Sequence, residues 1–86
     1  MRKLFRHHRG GLQESLDTMV EVNEFADIER IVKEEWGDYC TNVNTVFAGD
    51  DSDRINEEWK ETYYVVADFK GGPNAQCIGM CNFPKE

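Results

Sequence analysis

The sequence predicts an α+β fold: a small sheet with one amphipathic helix packed on one face. Three observations lead there. Thr62–Phe69 (TYYVVADF) and Gln76–Phe83 (QCIGMCNF) are apolar runs rich in β-branched and aromatic residues, separated by the breaker cluster Lys70–Ala75 (KGGPNA). That is the pattern of an antiparallel hairpin with a longer loop. Phe25, Ile28, Ile31, Val32 and Trp36 recur at steps of three and four, which makes one apolar helical stripe. Thr18–Val22 (TMVEV) alternates as a strand does, burying Val20 and Val22 and exposing Glu21. The 86 residues hold a single core, since a chain of this size removes only about 60–65% of its unfolded surface from water.

In chain order, Met1–Gly11 (MRKLFRHHRGG) carries Arg2, Lys3, Arg6 and Arg9 and no acidic residue. It reads as a flexible basic arm ahead of a domain spanning 12–86. The arm has two roles open to it: a solvated terminus, with Leu4 and Phe5 tucked against the body, or a phosphate-contacting segment. Leu12–Thr18 suits one helical turn with Leu12 and Leu16 on the same side. Asn23 is a natural N-cap, Glu24 and Asp27 favour the first turn through the helix dipole, and the helix runs Glu24–Trp36. Gly37 then closes it. Asp38–Gly49 supplies either an optional short strand at Val43–Phe47 or an extended crossing segment. The order is β-α-(β)-β-β, with three or four strands in an antiparallel or mixed sheet.

Alternation along the hairpin sorts its faces. Tyr63, Val65, Ala67 and Phe69 share one face, and Tyr64, Val66 and Asp68 the other. In the second strand Cys77, Cys81 and Phe83 oppose Gln76, Ile78, Met80 and Asn82. Gly79 marks a bulge or a close backbone approach. A sheet with one wet face alternates cleanly between apolar and polar, and this one does not. One helix covers one face, so Tyr64, Val66, Ile78 and Met80 are expected on a partner-binding surface. Trp59 joins them, with Ile55 four residues before it; the pair reads as a lid on the core or as a binding platform.

Charge is divided. Outside the arm there are 6 basic and 17 acidic residues, a formal −11 against −7 for the whole chain. An acidic body repels nucleic acid and attracts basic partners. Cys40, Cys77 and Cys81 are odd in number and show no C-x-x-C. Cys77 and Cys81 are about 13 Å apart along one strand, beyond disulfide reach, so reduced thiols are expected. Read as a calcium loop, the stretch from Asp51 has Ile55 and Asn56 where a ligand and a glycine belong. His7 and His8 are adjacent and lack a third spaced ligand. No metal and no cofactor are therefore expected. No phosphate-binding glycine loop and no nucleophile, base and orienter set is present, so no catalytic residue is assigned. With no apolar span of secretory or membrane length, the expectation is a cytoplasmic protein that does not bind membranes.

Arg9-Gly10-Gly11-Leu12-Gln13-Glu14-Ser15-Leu16-Asp17-Thr18 resembles an R-G-[GS]-L-x-x-S-L-x-T opening. Asp53-Arg54-Ile55, Trp59 to Val65 and Ile78-Gly79 look like D-x-R-I, W-x-x-T-x-x-V and I-G elements. Together these resemble a group of small uncharacterised proteins of phages and prophages of Gram-positive bacteria. The chain departs from that pattern in the three residues between Ile55 and Trp59, and in Met80, where an aromatic is usual. The resemblance implies a bacterial cytoplasm and a mobile-element gene, and no activity. The function expected is a non-catalytic protein-binding module, accessory or inhibitory, whose partner is another protein or a second copy of itself. The alternative is a nucleic-acid binder using Arg2, Lys3, Arg6 and Arg9.

Overall fold

The structure is a computed structural model that describes residues 2–8 and 11–85, the Leu12 side chain excepted. Its elements are β1 (Lys3–His7), α1 (Leu12–Asp17), β2 (Val20–Val22), α2 (Phe25–Trp36), β3 (Cys40–Gly49), β4 (Thr62–Phe69) and β5 (Gln76–Cys81). The strands form one sheet in the order β2-β1-β5-β4-β3, and every pairing is antiparallel. The α+β class, the hairpin and the long helix match the expectation from sequence. The strand count does not: the sheet has five among the described residues.

The additional strand is β1, drawn from the stretch expected to be a flexible basic arm. It lies inside the sheet between β2 and β5, and Leu4, Phe5 and Arg6 are all buried. The domain therefore begins ahead of residue 12. The segment joins the sheet because Leu4 and Phe5 place an apolar side chain on each face, while Arg6 finds a counter-ion there. The optional strand at Val43–Phe47 extends to ten residues as β3.

Helix α2 starts one residue later than its sequence signals imply, with Glu24 at the N-cap. The Asp27 carboxylate accepts from the backbone N–H of Asn23 at 2.8 Å and of Glu24 at 3.2 Å. These bonds hold it below the usual carboxylate range. Gly37 closes the helix at φ 59°, a conformation that favours glycine. The stripe of α2 packs Ile28 and Val32 against Phe5, Val22, Val43, Val65, Ala67 and Cys81. Beside it the C-terminal tail completes the cover. The Phe83 ring meets Phe25 edge-on at 6.3 Å, and the Lys85 backbone N–H donates to Thr45 Oγ1 at 2.9 Å. Lys85 Nζ donates to the Val43 carbonyl at 2.7 Å.

Gly79 is both a bulge neighbour and a close approach. Val65 pairs with Gly79 and Val66 with Cys77, leaving Ile78 as the additional residue. The shift turns Ile78 onto the core under α2, so it is not on the face predicted for it. A Cβ on Gly79 would lie 2.6 Å from Phe5 Cε1 and 2.7 Å from the Arg6 carbonyl. Neither the sheet backbone nor the fully buried ring can yield cheaply. Gly79→Ala is expected to destabilise the fold by about 1–3 kcal/mol, read as a lowered urea midpoint at unchanged slope.

The three cysteines are free thiols, Cys40 and Cys81 buried and Cys77 partly so. Burial raises the Cys81 pKa from 9.0 to about 11. A group whose folded pKa is raised contributes stability below its unfolded pKa and loses it as pH climbs through the folded one. Between pH 9 and 11 the parent chain is therefore expected to lose stability relative to Cys81→Ala, whose site cannot ionise. Denaturant titrations across that window check it.

Candidate functional site

The face of the sheet away from α2 divides into a covered half and an open half. Leu4 and Arg6 alternate with Phe5 and so point to this second face. The loop between β3 and β4 folds back over them. Arg6 Nη2 donates to Asp51 Oδ2 at 3.2 Å, and its guanidinium lies 4.8 Å from the centre of the Trp59 ring. The Arg6 side chain is 3% exposed. Burial lowers its pKa while the Asp51 charge opposes that shift, and a guanidinium stays charged regardless. Arg6 Nε and Trp59 Nε1 are buried without a protein partner, an unmet demand that the cation–π contact offsets only in part.

Further bonds fasten the loop down. Arg2 holds Glu58 through two bonds of 2.8 and 2.7 Å. The Asn82 side chain accepts from Leu4 N–H at 2.8 Å and donates to the carbonyls of Arg2 and Glu58. The start of β1, the end of β5 and the loop thus meet at one amide. Asp51 N–H closes the loop on the Trp59 carbonyl at 2.9 Å.

Register shows where the cover ends. Arg6 pairs with Met80, Met80 with Tyr64, and Tyr64 with Val46, a row of cross-strand neighbours on one face. Exposure rises along it, from 2% at Arg6 to 40% at Tyr64 and 52% at Val46. On the opposite face Tyr63 pairs with Phe47, their rings 5.4 Å apart, and Phe47 is 62% exposed. Tyr39, just before β3, is 68% exposed. Among the described residues, four of the six exposed large hydrophobics therefore lie on β3, on its neighbour β4 or at the start of β3.

The residues named from sequence scatter across this picture. Tyr64 is on the open strip, flanked by half-buried Val66 and Met80. Trp59 is not: it is fully buried as the lid over Arg6. Ile78 belongs to the core on the other face. Of the cations assigned to nucleic acid, Arg6 is buried against Asp51 and Arg2 is tied to Glu58. Lys3 is exposed with its ammonium 5.2 Å from the Phe83 ring centre, and Arg9 lies outside the described residues. Sequence reasoning missed Val46, Phe47 and Tyr39 as surface groups. Their signal was present: Tyr39–Gly49 holds no charged residue in a chain that is 31% charged.

His7 Nδ1 lies 3.3 Å from Glu35 Oε2, beside a depression of about 450 Å³ walled by Trp36, Phe69 and Ile78. Among the described residues no group of three or more His, Cys, Asp or Glu is placed to hold a metal ion. No helix among them is long and apolar enough to cross a membrane.

Comparison with protein-family models, with curated proteins and with solved structures gives no match.

Asp51→Ala strands a buried guanidinium and is expected to cost on the order of 3 kcal/mol. Arg6→Met removes that charge and keeps the volume, so it is expected to cost less. Thermal melting of the two variants decides it, and a larger loss for Arg6→Met contradicts the assignment.

Proposed function

We propose that this chain is a non-catalytic protein-binding module that acts through the open strip on β3 and β4. One observation carries the reading: Val46, Phe47 and Tyr64 lie together as exposed apolar groups near one end of the β3 edge, with Tyr39 exposed ahead of its other end. Such gathered surface marks interaction sites, whereas scattered apolar residues do not. Aromatic residues in that strip supply rigid contact area at small entropic cost. The acidic body, at −7 overall, favours a basic partner and speeds its approach. An accessory or inhibitory role, a cytoplasmic setting and the phage or prophage origin that the sequence resemblance implies belong to the same proposal. The nucleic-acid alternative has less support, because Arg2 and Arg6 are engaged within the fold.

The test is a pair of exposed substitutions, Val46→Lys and Tyr64→Lys. Both are expected to leave the melting temperature within a few degrees of the parent and to abolish retention of any protein captured by the parent chain. A partner held equally well by both variants contradicts the reading.

A further inference from the structure

The strip lies at the β3 edge of the sheet, where Lys85 Nζ meets the Val43 carbonyl, and its chemistry specifies what fits there. Strands at an edge present a row of unpaired N–H and C=O groups, which proteins blunt with short strands, charges or proline. The β2 edge is blunted: it has three residues and Glu21 at its centre. β3 has ten residues with neither charge nor proline. Its irregularities fall near the two ends, between Cys40 and Asn42 and between Phe47 and Gly49, leaving Asn42–Phe47 in regular register with β4. Its inner side is fully used by β4, and β3 is last in the strand order.

Exposed apolar groups flank this edge on both faces of the sheet, Val46 with Tyr64 on one and Phe47 on the other. A partner laid flat on either face would reach only one of these groups. An added strand reaches both, because its own side chains alternate between faces.

Charge then selects the occupant. Asp38 precedes β3, and residues 50–61 that follow it hold six acidic and two basic residues. Asp51 and Glu58 are neutralised by Arg6 and Arg2; Asp38, Asp50, Asp53, Glu57 and Glu61 are not buried. A second copy added antiparallel would bring Asp38 of one chain towards Asp50 of the other, like charges that disfavour pairing.

We infer that β3 accepts, as an added antiparallel strand, an extended segment of another protein with an apolar middle and basic residues at both ends. The inference rests on the protein-binding reading and gives it a geometry. Backbone hydrogen bonds to β3 supply the affinity, Val46 and Phe47 take alternate apolar side chains, and Asp38 and Asp50 take the flanking cations.

The probes are synthetic peptides of alternating threonine and valine carrying either a pair of lysines or a pair of glutamates at each end. The lysine-ended peptide is expected to bind about tenfold or more tightly than its counterpart at low salt, a gap that narrows as salt screens it. It is also expected to slow hydrogen exchange at β3 amides. The double variant Asp38→Lys, Asp50→Lys, altered only at exposed positions, is expected to reverse the preference. Equal binding of the two peptides, or exchange at β3 unaltered by the lysine-ended peptide, overturns the inference. So does a dimer of the free chain with β3 amides already protected, since the occupant is then a second copy. If Val46→Lys abolishes capture of a partner while β3 amides in the parent complex exchange as in the free chain, strand addition fails and protein binding stands.

Discussion

A buried guanidinium organises the second face of this sheet. Arg6 sits in an interior strand, where a charge without partners would cost several kcal/mol. Met80 Sδ on β5 accepts one bond from it at 3.0 Å, and Asp51 and Trp59 arrive from the same loop, one with a carboxylate and the other with a ring face. That requirement folds the loop onto β1 and β5, and the neighbouring Arg2–Glu58 and Asn82 bonds lock it there. The loop covers the half of the sheet nearest β1. The other half is left to water or to a partner. One ion pair thus determines which apolar groups are hidden and which are offered.

The parts legible in the sequence were those with a period. The stripe from Phe25 to Trp36, the stop at Gly37 and the hairpin runs each repeat a pattern that local geometry dictates. Gly79 was legible as well, since a glycine inside a strand run signals a missing side chain where backbones crowd. What eluded the sequence depended on pairing at long range. KLFRH looked like an arm because three of its five residues are basic or histidine, and nothing local reveals that Asp51 awaits Arg6. Trp59 read as a lid or as a binding platform, and what decides for the lid is a strand more than fifty residues earlier. Ile78 was misplaced by a single bulge, which reverses the alternation from which faces are read.

The two sheet edges show how unevenly the chain guards itself. β2 is brief and carries a charge, whereas β3 is long, neutral and bordered by aromatic groups. Lys85 brings a cation to β3, on the Val43 carbonyl, from the tail that packs beside α2. An acidic domain with one uncharged margin is suited to a partner that supplies both a strand and positive charge.

Pairing of β1 with β5 has a consequence for biosynthesis. Phe5 and Cys81 are direct neighbours in the finished sheet, so the interior of the domain joins segments far apart in the chain. At translation speeds of about 5–20 residues per second, β1 waits roughly 4–15 s for its neighbour to be made. Throughout that delay Leu4 and Phe5 are without the strand that completes their shelter.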